Sequence, residues 1–176
     1  MLKIAIIGPE STGKTELTQA LATHFDTVWE PELAREYVEQ LNREYTFDDV
    51  CEIAKRQIEN EKKYELNKQQ DQIVFFDTDL IITKVWLAYK YKRIPEFVTN
   101  RLNDRFIDCY LLCEPDLAWE PDHVREHGND RDFFFDWYKR EIENLQIPYH
   151  TINGAGELRL QNALNALSAS GFIGKR

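Results

Sequence analysis

A chain that runs from an apolar stretch, Ile4 to Ile7, straight into Gly8-Pro9-Glu10-Ser11-Thr12-Gly13-Lys14-Thr15 has few folds open to it. The turn reads G-x-x-x-x-G-K-T, the pattern of a phosphate-binding loop, and a helix-like segment from Glu16 to Phe25 follows at once. Strand, loop and helix are the context in which that pattern has a mechanism. Gly8 and Gly13 let the backbone turn without Cβ clashes, so that successive N–H groups converge on phosphate oxygens. The positive end of the new helix adds to the cradle. Lys14 is placed to reach the β- and γ-phosphates, and the Thr15 hydroxyl to complete a magnesium shell. The eight residues together point to a nucleoside triphosphate, with ATP and Mg2+ as the expected cofactors.

With 176 residues, the whole chain is expected to form a single domain that buries roughly 70% of its unfolded surface. Hydrophobic residues make up 43% and aromatic residues 12%, as in a soluble globular protein. No apolar run approaches the ~20 residues needed to span a bilayer, so no membrane partner is expected. The N-terminal apolar stretch stops at Gly8-Pro9-Glu10, too short and too acidic downstream for a secretory signal, which points to the cytoplasm. Cys51, Cys109 and Cys113 are odd in number and lack C-x-x-C spacing, so neither a disulfide framework nor zinc is supported. Cys109 and Cys113 fall on one face of an expected buried strand, where cysteine acts as a small hydrophobe. A net charge of −9 argues against a nucleic-acid partner, which would want a basic face. It leaves ATP open, because phosphate recognition is local and aided by magnesium. A small-molecule substrate is the expected partner.

Further along, Leu17, Leu21 and Phe25 recur at helical spacing, and Thr27-Val28-Trp29 is a short β-prone run ended by Glu30-Pro31. Ala34 to Leu41 reads as a helix. Thr46-Phe47-Asp48-Asp49 resembles a capping box and opens a long polar helix to about Gln70, expected to lie against the surface. Ile73-Val74-Phe75-Phe76 is a continuous run of β-formers, as in a strand buried on both faces. Ile81, Ile82, Val85, Trp86 and Tyr89 mark the next helix, and Pro95 opens a short one. Tyr110-Leu111-Leu112 is another buried strand, and a proline-broken segment from Glu114 to about Arg131 follows it. Phe133 to Leu145 is an amphipathic helix, Tyr149 to Ile152 a last strand, and Glu157 to about Leu167 a closing helix. Strands alternating with helices imply an α/β fold, a three-layer P-loop sandwich around a parallel sheet of about five strands, with a lid segment near 114–131.

In such sheets ligands sit outside the carboxyl ends of the strands, so the reactive residues at those ends matter most. The second strand ends in Glu30, with Glu32, Arg35 and Glu36 behind it; the third ends in Asp77 and Asp79. Asp77 sits where an aspartate would support magnesium or its water, or would cap the following helix. Asp79 is better placed for capping. Glu30 can accept a proton from a substrate hydroxyl, or be a charge at a strand end. Arg125 and Arg131 lie in a segment that reads either as a mobile lid, whose arginines neutralise charge on a transferred phosphoryl group, or as a solvated loop. Trp86, Trp119 and Tyr37 are candidates to stack on a flat substrate ring, with core packing the alternative for Trp86.

The glycine-rich loop, Trp29-Glu30 with Arg35-Glu36-Tyr37, Phe76-Asp77-Thr78-Asp79, and Trp119-Glu120-Pro121-Asp122 with Arg125 occur in that order. Together they resemble the ribosylnicotinamide kinase domain of NadR-type bacterial NAD-biosynthesis proteins, over most of the chain. That family phosphorylates nicotinamide riboside on its 5′-hydroxyl with MgATP. The resemblance implies that Lys14 and Thr15 hold phosphate and magnesium. It further implies that Glu30, Arg35, Asp77 and Asp79 surround the riboside and the transferred group, with Trp119 and Asp122 on the substrate side and Arg125 in the lid. Full-length relatives carry further domains. No H-x-G-H nucleotidyltransferase pattern occurs here, so adenylyl transfer and operator binding are not expected of this chain. Another nucleoside, nucleotide or metabolite kinase, or an ATPase or ATP-sensing module, remains compatible with the residues.

Overall fold

A computed structural model describes residues 1–66, 73–122 and 128–173. Five parallel strands form one sheet in the order β2-β3-β1-β4-β5. They are β1 (Leu2–Ile7), β2 (Trp29–Glu30), β3 (Ile73–Asp77), β4 (Cys109–Cys113) and β5 (Tyr149–Ile152). The helices are α1 (Lys14–Phe25), α2 (Leu33–Glu39), α3 (Phe47–Leu66), α4 (Leu80–Tyr91), α5 (Glu96–Asn103), α6 (Arg131–Leu145) and α7 (Gly156–Ala169). Among the described residues no helix is long and apolar enough to cross a membrane.

The central strands are apolar throughout because both of their faces are covered. Ala5, Ile7, Val74, Phe76, Tyr110 and Leu112 point to a core shared with α3, α4, α5 and α6. Their alternates Ile4, Ile6, Phe75, Cys109, Leu111 and Cys113 point to a second core under α1 and α7. Period-two alternation thus divides one continuous hydrophobic run between two cores. Cys109 and Cys113 lie on the same face, fully buried and free, as two small hydrophobes.

The long helix α3 contributes more to the interior than its polar composition suggests. Val50, Ile53 and Ala54 are fully buried, so the apolar stripe enters the core and only the opposite face meets water. Its start is fixed by a reciprocal pair. Asp49 Oδ2 accepts from the Thr46 backbone N–H at 2.7 Å, and Thr46 Oγ1 accepts from the Asp49 N–H at 3.4 Å. Arg43 adds a bidentate clasp on the same carboxylate at 2.6 and 2.8 Å, which holds Asp49 far below the usual carboxylate range. The expected end of α3 near Gln70 lies outside the described residues.

Chain order explains where a ligand can bind. The connection leaving β1 runs through α1 on one face towards β2, whereas that leaving β3 runs through α4 on the other face towards β4. The crevice opens where neighbouring strands send their connections in opposite directions, at the carboxyl ends of β1 and β3. The register pairs Ile6 with Asp77, and Thr78 N–H donates to the Ile6 carbonyl at 3.0 Å. The end of β3 is thereby locked beside the loop that follows β1.

Candidate active site

The loop from Gly8 to Thr15 crosses that crevice. Gly8 has φ 153°, and a Cβ there would lie 2.7 Å from the Cys113 carbonyl, so only glycine lets β1 pass this close to β4. Ser11 (φ 55°) and Gly13 (φ 70°) adopt left-handed backbone conformations, which fold the loop into a concavity. Gly13 is the N-cap of α1 and no side chain caps that helix, so the first N–H groups of α1 face the loop's interior. Two side chains brace the turn: Thr12 Oγ1 and Lys14 Nζ each donate to the Pro9 carbonyl at 2.8 Å.

Thr15 Oγ1 donates to Asp77 Oδ2 at 2.6 Å, joining the helix start to the end of β3. Asp77 is 3% exposed, and its Oδ1 is buried without a hydrogen-bond partner. Burial pushes its carboxyl up to about 6, with Glu32 adding to the rise and Thr15, Lys14 and Arg35 opposing it. Among the described residues no three His, Cys, Asp or Glu side chains form a metal-holding group. A small divalent cation would rest here on Thr15, Asp77 and the phosphates it arrives with.

A cleft of about 1040 Å³ extends from the loop between α2, α4 and α6. Gly8 to Glu16, Glu32 and Arg35 line it. Its walls also carry an aromatic group, Tyr45, Trp86, Tyr89 and Phe134. Trp86 Nε1 donates to the Tyr45 hydroxyl at 3.2 Å and the rings meet edge to face at 4.7 Å, while Lys90 Nζ lies 3.7 Å from the Tyr45 ring centre. Arg43, Glu44 and Tyr45 reach this wall because the clasp on Asp49 fixes the turn that precedes α3.

The candidate residues fall in several places. Gly8 to Thr15, Arg35 and Trp86 line the one cleft. Glu30 and Asp77 instead border a small cavity of about 30 Å³ next to it. Asn60 Nδ2 and the Tyr64 hydroxyl hold the two carboxylate oxygens of Glu30, at 2.6 and 2.8 Å. Asp79 is directed inward, where it caps α4 through the Ile81 N–H at 3.0 Å and accepts from the Tyr110 hydroxyl at 2.5 Å. Burial raises its carboxyl to about 6 as well. Tyr37 turns from the cleft to donate to Asp49 at 3.2 Å, its ring under Arg56.

The segment after β4 is tied down across the loop. The Leu117 side chain lies over Gly13, where a Cβ would come within 3.3 Å of it. Trp119 Nε1 donates to Glu10 at 3.3 Å, and Glu120 N–H donates to Ser11 Oγ at 3.1 Å. Asp122 accepts from Arg35 at 2.9 Å. Arg131, the first residue of α6, donates to the Leu117 carbonyl at 2.8 Å and so stands at the base of the segment. Arg125 lies outside the described residues. The cleft residues that the sequence did not single out for binding are Tyr45, Tyr89, Phe134 and Tyr138. They come from three parts of the chain and form no motif, so only the folded cleft brings them together.

A family model described as an AAA domain matches residues 3–159. The chain belongs to the AAA domain family. This AAA domain is 27% identical over 151 residues to the trifunctional NAD biosynthesis/regulator protein NadR of Escherichia coli (strain K12), a match covering 82% of the chain and 34% of that relative. It therefore spans about a third of the length of the curated relative it matches. A crystal structure of NadR protein in complex with NR shares the fold at TM-score 0.76 and 23% identity, covering 99% of this chain and 53% of the other. A second NadR structure, in complex with NAD and AMP-PNP, matches at TM-score 0.72 and 24% identity, over 99% of this chain and 51% of that one. The likeness to the NadR-type family read from the motifs is met at both levels, sequence and fold.

Proposed function

We propose that this AAA domain is an ATP-dependent kinase that phosphorylates the 5′-hydroxyl of nicotinamide riboside, giving nicotinamide mononucleotide in NAD salvage. The observation that carries the reading is that one cleft of about 1040 Å³ is lined both by the phosphate loop and by aromatic side chains. Phosphoryl transfer asks the protein for little covalent chemistry: it must hold donor and acceptor in line and stabilise charge. One cavity with both chemistries meets that need, whereas an ATPase switch has no use for the aromatic side chains.

On the donor side, the uncapped start of α1 and the concave backbone at Ser11 and Gly13 receive the phosphates, and Lys14 contributes a positive charge. The residues present fit magnesium, since Thr15 and the buried, unpartnered Oδ1 of Asp77 are hard oxygen donors beside the cradle. When bound with the nucleotide, magnesium neutralises charge on the phosphate oxygens. On the acceptor side, a pyridinium riboside is flat and cationic, and aromatic faces such as Trp86 attract both properties. Glu30, oriented by Asn60 and Tyr64, is the proposed proton acceptor for the 5′-hydroxyl. Residues 114–131 are the proposed lid, with Trp119, Asp122 and Arg131 setting its position. The NadR relatives, one of them in complex with NR, support this choice of acceptor.

Purified protein with MgATP and a panel of nucleosides, read by ADP release, tests the acceptor. Nicotinamide riboside should be turned over faster than uridine or deoxyguanosine; equal rates would remove it as the substrate. Lys14→Ala should abolish turnover and leave the unfolding temperature unchanged.

A further inference from the structure

Two polar side chains border the cleft with few partners of their own, Glu32 at the start of α2 and Tyr138 on α6. Tyr138 is 8% exposed, its ring stacked on Phe134 with centres 6.2 Å apart. It lines the cleft, and its hydroxyl makes no hydrogen bond to any described residue. Burial, with Glu10 and Glu32 acting on it, raises the phenol further above neutrality, so it remains a proton donor. Glu32 is the N-cap of α2, yet its side chain caps none of that helix's N–H groups. Its one ion pair among the described residues is a long one, to Arg35 Nε at 4.0 Å. Glu32 lines the same cleft as Tyr138, and its charge acts on both Tyr138 and Asp77.

We propose that Glu32 and Tyr138 form a hydroxyl-binding subsite of the acceptor, and that it selects a vicinal diol such as that of a ribose. This rests on the reading of the cleft as the place where a nucleoside is phosphorylated. A carboxylate has two oxygens side by side and accepts from two adjacent hydroxyls at once, as it does from the two arms of a guanidinium. The phenol can give a hydrogen bond to one of those hydroxyl oxygens. An acceptor lacking one hydroxyl leaves part of this pair desolvated and unbonded, and sites built to bind a hydroxyl discriminate through that loss.

The test compares the wild type, Tyr138→Phe and Glu32→Gln on nicotinamide riboside and its 2′-deoxy counterpart, with MgATP and ADP release as the readout. The wild type should favour the ribo form in kcat/KM by roughly tenfold or more, the worth of a hydrogen bond to a charged group. Each variant should raise the acceptor KM by roughly tenfold, leave the ATP KM within about twofold, and shrink the ribo preference to a few-fold. Thermal unfolding identifies any variant that fails to fold, and the other then carries the comparison. Unchanged acceptor KM and unchanged preference in a folded variant would overturn the subsite. If the wild type ignores nicotinamide riboside, the proposed acceptor fails separately, and the preference is read on whichever ribo and deoxy pair is phosphorylated. A wild type that takes the deoxy partner equally well, or phosphorylates no nucleoside at all, overturns the subsite too.

Discussion

Asp77 carries two demands that pull its proton in opposite directions. Burial favours the neutral acid and lifts its pKa to about 6, while a cation beside Thr15 needs the carboxylate. Binding of the magnesium nucleotide should therefore weaken as the pH falls through about 6, because the proton and the cation compete for one group. Asp77→Asn keeps the shape and removes the charge. It should lower kcat by roughly a hundredfold or more, on the scale of a lost electrostatic group in an active site, and abolish the pH dependence of nucleotide binding near 6. Magnesium titrations of wild type and variant at several pH values would measure both effects; an unaltered magnesium requirement in the variant would place the cation elsewhere. Arg131 raises the opposite question. Its bond to the Leu117 carbonyl makes it a strut between the start of α6 and the segment after β4. Arg131→Ala should raise KM and hasten proteolysis of the 114–131 segment, with kcat changed by only a few-fold. A drop of kcat by about a thousandfold would instead assign it to the transferred phosphoryl group.

The start of α3 shows how one element sets a site it does not itself contain. Thr46 and Asp49 close the first turn, Arg43 clasps the same carboxylate, and the chain between them presents Tyr45 to Trp86. Thr46→Ala should cost about 1 kcal/mol, the usual value of an N-cap hydroxyl. Asp49→Ala should cost more, since Arg43, Tyr37 and Thr46 all lose a partner. Because this turn forms a wall of the cleft, both variants should raise the acceptor KM before they affect the ATP KM. Urea unfolding and steady-state kinetics would separate the two effects, and equal shifts in both KM values would contradict the coupling. Elements of this kind were largely legible in the sequence, because caps, apolar spacing and β-branched runs are local signals. The phosphate loop was legible for the same reason: it is eight consecutive residues whose roles follow from backbone geometry. The aromatic wall was not, since Tyr45, Tyr89, Phe134 and Tyr138 come from three parts of the chain, and each reads as ordinary core in its own window. Asp79 and Glu30 were ambiguous because a carboxylate at a strand end can cap, pair or catalyse; the choice depends on Tyr110, Asn60 and Tyr64, which only the fold brings near.

At the scale of the whole molecule, buried carboxylates make stability and activity respond to pH in opposite senses. Asp77 and Asp79 are both nearly inaccessible, and burial raises each from the ordinary carboxylate range to about 6. Lys14 and Arg35 partly offset the charge of Asp77, and the Tyr110 hydroxyl that of Asp79, but burial dominates in both. A raised acid takes up its proton more readily in the folded state than in the unfolded chain. The cost of holding the ionised form inside is thus fully present above about pH 6, and is relieved as the pH falls from there towards the unfolded value. Glu61, also buried, is pushed up to about 7 by the same desolvation, which its ion pair with Arg101 at 2.6 Å opposes without cancelling, so it adds to the effect. Asp49 works in reverse, with a depressed pKa whose stabilisation is kept until the pH drops below the ordinary carboxylate range. Between about pH 7.5 and about pH 5.5 the two buried aspartates should together add roughly 1–2 kcal/mol of stability. For a chain of this size that raises the unfolding temperature by roughly 3–6 °C. The formal charge of −9 at pH 7 pushes the same way, as protonation relieves self-repulsion. Saturating MgATP should reverse the trend, because it binds the ionised form of Asp77 and gains affinity as the pH rises. Asp77→Asn should unfold at a higher temperature than the wild type at about pH 7.5 and show a weaker pH dependence, a stabilisation obtained by giving up the charge proposed to meet the cation. Thermal unfolding across this range, with and without MgATP, decides the matter. A wild type whose stability rises with pH in the absence of nucleotide would show that these carboxylates are ionised at no cost.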